Sequence, residues 1–192
     1  MITAISGKIN SGKDTVGEII QIITNSPHFT DEAVLSFLGK PHLSPKWEIK
    51  KFADKLKDIV CMLLGCSREQ LEDEDFKNME LSEEWWYWKL ERDGEYNTIL
   101  LPYNESTGTE NYTLIKPTYR LFLQLLGTEC GIQIIHPNIW CNSLMSEYVS
   151  QFNWNDSGRE GLPNWIITDM RFPNELKAVE NRNGITIRVN RP

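Results

Sequence analysis

No stretch of the chain approaches the ~20 consecutive apolar residues of a membrane-spanning helix, and the N-terminus lacks the charged flank and small-residue cleavage site of a signal peptide. The protein is therefore expected in the cytoplasm. Histidine is scarce, with only His28, His42 and His136, and the cysteines Cys61, Cys66, Cys130 and Cys141 form no C-x-x-C pair. That removes the usual zinc frameworks and predicts buried free thiols in a reducing compartment. A basic surplus is missing too: 20 Lys and Arg stand against 27 Asp and Glu, a formal net charge of −7. This argues against a broad electrostatic grip on a nucleic-acid polymer and leaves room for a local basic pocket that takes a small anion. Internal repeats and low-complexity tracts are also lacking, so 192 residues, 40% of them apolar, fit one globular domain with a substantial core.

What is present is concentrated at the start, in MITAISGKINSGKDT. Ile2 to Ile5 read as a buried strand, and from Asp14 onward Val16, Ile19, Ile20 and Ile23 have helical spacing. Between them Gly7, four residues, Gly12 and Lys13 give the G-x-x-x-x-G-K skeleton of a phosphate-binding loop. Glycines let backbone N–H groups turn inward, the helix dipole adds positive potential, and Lys13 can reach the terminal phosphates of a nucleotide. The string alone arises by chance in roughly one chain in twenty of this length, so its weight comes from the strand before it and the helix after it. The implied ligand is a polyphosphate held by Gly7, Lys8, Asn10, Ser11, Gly12, Lys13, Asp14 and Thr15. Where the strict motif places Ser or Thr for magnesium, this chain has Asp14 followed by Thr15, and either can serve the metal.

Asn25 to Pro45 is rich in Pro, Ser, His and Gly and reads as a surface connection. Trp47 to Ala53 is expected as a strand and Asp54 to Leu64 as an amphipathic helix bearing Leu56, Ile59, Val60, Leu63 and Leu64, with Asp54 as N-cap and Gly65 as stop. Ser67-Arg68-Glu69-Gln70 matches a capping box. Trp85 to Trp88 and Thr98 to Leu101, separated by Arg92-Asp93-Gly94-Glu95, predict a hairpin inserted over about 85–102. Helices are predicted from Thr118 to about Ile132 and from Asn138 to Phe152. A polar loop over Gly158 to Pro163, a strand Trp165 to Asp169, a helix Phe172 to Arg182 and a last strand Ile185 to Val189 complete the pattern. Such alternation makes an α/β fold, a parallel sheet flanked by helices with ligands at the carboxyl ends of the strands. Gly7 to Lys13 and Asp169 to Arg171 both follow strands there.

Phosphoryl transfer needs two phosphates held in line, magnesium, and cations where charge accumulates. Lys13 is the cation for the donor. Asp169 ends a strand where it can hold magnesium or its water shell, or else cap the helix near Phe172. Arg171 and Arg120 are cations for an acceptor phosphate, or partners in solvent ion pairs.

Five ordered blocks, GKINSGKDT, KFADKLKDIV, TYRLFLQLLGTECG, IIHPNIW and ITDMRFPNE, closely resemble the bacteriophage-type deoxynucleoside monophosphate kinases over nearly the whole chain. The resemblance implies a P-loop NTPase three-layer fold, ATP and Mg2+ at Gly7 to Thr15, and transfer of the γ-phosphate of ATP to a deoxynucleoside monophosphate. It also implies that Phe52, Asp54, Lys57, Arg120, Gln124, Trp140 and Arg171 line the acceptor side. Within that set Arg120 and Arg171 are assigned to the acceptor phosphate, Trp140 or Phe52 to the base, and Glu129 to a bracing role. Partners are then small nucleotides rather than a polymer or a membrane, and a homodimer stays open. Two departures stand out. Many relatives have an arginine after GTECG where this chain has Ile132. The family also continues past the strand Ile185 to Val189 with a lid, a last strand, an adenine-contacting loop and a final helix, so the lid and last strand are expected to be absent from this sequence, which stops at Pro192. The loop is also very similar to that of P-loop phosphomevalonate kinases, which lack the TECG and HPNIW blocks. A non-catalytic nucleotide-binding protein without a lid is the alternative from a different class.

Overall fold

The computed structural model describes residues 1–40, 46–90, 99–104, 111–149, 151–153 and 159–190. In chain order the elements are β1 (Ile2–Gly7), α1 (Lys13–Asn25), α2 (Asp31–Phe37), β2 (Glu48–Lys50), α3 (Asp54–Leu64), α4 (Arg68–Glu72), α5 (Glu74–Asn78) and a 3-10 turn (Glu83–Trp85). There follow β3 (Tyr87–Leu90), β4 (Ile99–Pro102), β5 (Thr113–Ile115), α6 (Tyr119–Gln124) continuing as a π-helix (Leu125–Ile135), α7 (Ile139–Met145), β6 (Gln151–Asn153), β7 (Arg159–Gly161), β8 (Trp165–Met170), α8 (Pro173–Glu180) and β9 (Ile185–Val189). They fall into two compact units, Met1–Lys55 with Asn138–Pro192, and Leu56–Pro137.

The first unit is built on a four-stranded parallel sheet in the order β2-β8-β1-β9. Its central strands carry Ile2, Ala4, Ile5, Trp165, Ile166 and Ile167, all essentially buried, as expected where helices cover both faces. Ile2, Ala4, Trp165 and Ile167 face Leu144, Met145, Tyr148 and Val179 in one core. On the opposite face Gly17 of α1 lies against Thr168, Ile166 and Ile5. Burying a side chain of this size contributes about 1.5–3 kcal/mol. The chain leaves β1 for β2, beyond β8, and leaves β8 for β9, beyond β1. Connections that part in opposite directions open a crevice at the carboxyl ends of β1 and β8.

Several expectations shift in this unit. The buried positions of α1 are Lys13, Gly17, Gln21 and Ile22, while Ile23 is exposed, because Gly17 brings a different face onto the sheet than the Val16–Ile20 stripe suggested. The presumed surface connection contains α2, whose N-cap Thr30 accepts from Ala33 N–H at 3.3 Å. The strand expected over 47–53 is confined to Glu48–Lys50. Asp54 is the first helical residue rather than the cap, its Oδ2 accepting from Lys51 N–H at 2.8 Å. The helix expected to reach Phe152 ends at Met145, and Gln151–Asn153 pairs antiparallel with Arg159–Gly161, part of the presumed polar loop.

In the second unit β3 pairs with β4 as the predicted hairpin; its Asp93-Gly94 turn lies outside the described residues. β5, not expected from the sequence, adds a third antiparallel strand beside β3. Of the stripe expected on α3 only Val60 is buried. The Ser67–Gln70 capping box is present. Thr118 caps α6, accepting from Leu121 N–H at 3.1 Å, and the helix then widens into i→i+5 bonding, ending with His136 N–H on Gly131 O at 2.9 Å. Gly127 in that stretch packs on Leu56, where an added Cβ would come within 2.7 Å.

Candidate functional site

A Cβ on Gly7 would lie 2.5 Å from Ser11 Oγ and 2.7 Å from Val189 O, so the exit from β1 admits only glycine. Asn10 and Gly12 then take left-handed backbone conformations, at φ 60° and 88°, and Ser11 N–H donates to Lys8 O at 3.2 Å. Gly12 occupies the N-cap position, so no side chain caps the first turn of α1. Lys13 is only 7% exposed, and its Nζ folds back to donate to Lys8 O at 2.9 Å. Ser11 Oγ is buried and, among the described residues, has no hydrogen-bond partner. Leaving a buried polar atom unsatisfied costs about 1–3 kcal/mol. An oxyanion in the turn would supply that partner, meet the open N–H groups of α1 and lie beside the Lys13 ammonium. The residues present fit a phosphate.

Three carboxylates stand nearby. Asp14 Oδ1 accepts from Thr168 Oγ1 at 2.7 Å and pairs with Lys51 Nζ at 2.9 Å. Burial pushes its carboxyl up, but the bonds from Lys51 and Thr168 and the positive fields of Lys51 and Lys13 outweigh this and hold it below the ordinary value. Asp169 accepts from Phe52 N–H at 2.9 Å and from Ala53 N–H at 3.1 Å. It thus ties β8 to the start of α3 instead of capping α8. Burial lifts its pKa, the two backbone bonds counter, and the neighbouring Asp54 adds to the rise. Glu175 takes the capping role, its Oε2 accepting from Arg171 N–H at 2.6 Å and Phe172 N–H at 2.9 Å. Burial pushes its carboxyl up as well. Among the described residues no group of three or more His, Cys, Asp or Glu is placed to hold a metal. Magnesium on a polyphosphate needs only one or two carboxylates; Asp14 stands in the first turn of α1, and Asp169 follows Thr168, which donates to Asp14.

The other expected residues divide. Phe52 is 2% exposed, its ring in the core, so of the two aromatics expected against the base only Trp140, half-buried on α7, has an accessible ring. Arg171 is exposed, and its guanidinium makes no hydrogen bond or ion pair among the described residues. Thr15 is exposed. In the second unit Lys57 Nζ donates to both oxygens of Glu72, at 2.6 and 2.7 Å. Arg120 Nε donates to Asn78 Oδ1 at 2.9 Å, and its terminal nitrogen pairs with Glu74. Gln124 and Glu129 are exposed. Lys51 and Glu175 were missed by sequence reasoning. Glu175 had a signal, since an acid at the third position after the N-cap, here Phe172, marks a helix start; Lys51 had none, because its partner lies 37 positions away.

A parallel α/β sheet with a glycine-lined, anion-ready turn at the crevice between β1 and β8 defines a class of site rather than a particular enzyme. The chain is similar to the deoxynucleoside-5'-monophosphate kinase of Escherichia phage T5, at 25% identity over 202 aligned positions, covering 95% of this chain and 73% of that one. No family model matches. No helix among the described residues is long and apolar enough to cross a membrane.

Proposed function

We propose that the protein is a P-loop kinase that transfers the γ-phosphate of ATP to a deoxynucleoside monophosphate. The observation that carries the reading is the turn itself, with a buried Ser11 hydroxyl that has no partner among the described residues, a buried Lys13 and a glycine at the helix cap, all at one point. Those groups suit a polyphosphate. The similarity to a protein named as a deoxynucleoside-5'-monophosphate kinase supports the choice of acceptor.

On this reading Gly7, Lys8, Asn10, Ser11 and Gly12 wrap the donor phosphates, and Lys13 exchanges its bond to Lys8 O for a phosphate oxygen. Magnesium bound with ATP neutralises charge on the phosphates. Asp14 would hold it, with Asp169 or Thr15 contributing directly or through water; Asp14 keeps one oxygen outside its bonds to Thr168 and Lys51. Asp54, Trp140 and Arg171 take acceptor-side roles from the first unit, with the Arg171 guanidinium on the acceptor phosphate. For Lys57, Arg120 and Gln124 the same role rests on the resemblance. The protein works in the cytoplasm on small nucleotides.

The test is coupled turnover of magnesium ATP with each of the four deoxynucleoside monophosphates and with phosphomevalonate. Diphosphate formation from at least one deoxynucleotide is expected. Turnover of phosphomevalonate alone, or nucleotide binding without transfer to any acceptor, overturns the proposal.

A further inference from the structure

Cys61 and Cys66 were expected as buried free thiols, and both are half-exposed; of the four cysteines Cys141 is the buried one. They are joined by the way α3 ends. Gly65 follows the last helical residue in a left-handed conformation, at φ 66°. Cys66 N–H then donates to Cys61 O at 3.3 Å. A bond between residues five apart across a left-handed glycine is the Schellman helix end, in which the side chains at its first and last positions meet. Here both of those side chains are thiols, near enough for each to feel the other's field. A helix end of this kind turns the two side chains toward one another, whereas cysteines that are widely separated or point apart cannot be cross-linked.

We propose that Cys61 and Cys66 form a dithiol site that reacts with low-molecular-weight disulfides and closes into an internal disulfide. Burial, with the neighbouring Cys66 thiol adding to it, pushes the Cys61 thiol up to about 11, which makes it the poorer first nucleophile. Cys66 attacks as the thiolate: its sulfur bonds to one sulfur of the small disulfide, the original S–S bond breaks, and the departing thiolate takes a proton. Cys61 then loses its proton and attacks Cys66 Sγ, forming the 61–66 bond and expelling the second small thiolate, which is protonated in turn. Two protein thiols are oxidised by two electrons and one small disulfide is reduced to two thiols. Cys141 takes no part, because burial and the nearby Glu175 and Asp169 hold its thiol up at about 11. The site stands independently of the proposed kinase activity.

The test uses the unmodified chain in a buffer of oxidised and reduced glutathione, quenched by alkylation under denaturing conditions and read by peptide mass spectrometry. The peptide spanning 61–66 should become lighter by a pair of hydrogens and regain both alkylation sites after dithiothreitol, while Cys130 and Cys141 stay alkylatable throughout. Cys61→Ser should instead accumulate a glutathione adduct on Cys66. Full alkylation of both thiols in a buffer that oxidises free dithiothreitol overturns the proposal. So does pairing of either thiol with Cys130 or with a second chain.

Discussion

In the first unit Lys13 is buried and Asp169 half-buried, and both are bonded to backbone atoms, whereas Lys57 and Arg120 in the second are bonded to the side chains of Glu72 and Glu74. The partners differ in kind. A backbone carbonyl or N–H is fixed by the fold, so a side chain attached to it inherits the precision of the sheet. Exposed carboxylates such as Glu74, 71% exposed, are screened by water and exchange readily for another anion. The first arrangement suits groups that act in place on charge that develops during a reaction; the second suits cations that change partner.

The largest effect on activity should follow from breaking the backbone-held side of that contrast. Lys13→Ala removes a buried ammonium from the turn, and losing one preorganised donor costs about 10²–10³ in turnover. In a steady-state assay with magnesium ATP the loss should fall mainly on kcat, with the thermal midpoint little changed. Full turnover in this variant would remove the donor site from the turn. Arg120→Met, by contrast, should act mainly on the KM of the acceptor.

A second break concerns stability. Asp169→Asn keeps the shape but offers an amide N–H₂ to Phe52 or Ala53 N–H, a donor facing a donor, and should cost about 1–3 kcal/mol in urea unfolding. The pH dependence carries its own signature. Asp169 and Glu175 are raised above ordinary values of 3.8 and 4.5, so on raising the pH the unfolded chain releases these protons first. Over that window the folded chain binds more protons, stability falls as pH rises, and it levels off above the folded values. Asp14, lowered, acts oppositely and loses its contribution as pH falls. Asp169→Asn should therefore shrink the fall with rising pH, leaving the part due to Glu175. An unchanged slope would mean that Asp169 does not hold its proton in the fold.

The contrast also explains what could be read from sequence. The apolar runs of β1 and β8, the glycines of the turn and the 54–64 helix are local patterns, and they appear where residue types place them. The π-helix over Leu125–Ile135 has the same apolar spacing as an ordinary helix, and its wider bonding is invisible to that spacing. β5 is three residues long and exists by pairing with β3. Lys51 and Asp14 meet through the tertiary fold. Cys61 and Cys66 are an intermediate case: Gly65 was read as a helix stop, and the same glycine brings the two thiols together.

Gly17→Ala tests how closely α1 must sit on the sheet that carries Asp169. The added Cβ would lie 2.4 Å from Thr168 Cγ2. Overpacking typically costs about 1–3 kcal/mol, offset in part by the ~1 kcal/mol gain in helix propensity. A net loss of up to about 2 kcal/mol should lower the thermal midpoint by roughly 2–4 °C per kcal/mol in a chain of this size. Because Thr168 also donates to Asp14, the variant should disturb the Asp14 carboxyl resonance; a silent resonance would mean that α1 shifts without pulling on that bond.

The smallest effect sharpens the comparison most, because Asp14–Lys51 is a pair at the turn of the first unit that resembles those of the second. Asp14 is 62% exposed, so Lys51→Met should change stability by only about 0–1 kcal/mol. Its effect should appear in titration. Lys51 supplies both a hydrogen bond and a positive field to Asp14, and Lys13 and Thr168 supply the rest. Carboxyl NMR should therefore show the Asp14 midpoint moving up toward its ordinary value in Lys51→Met, while Lys57→Met leaves it in place. If both variants leave it unchanged, the Thr168 bond and Lys13 alone polarise Asp14. If both move it, the charges of the two units are coupled at long range, and the distinction between fixed and exchangeable partners fails.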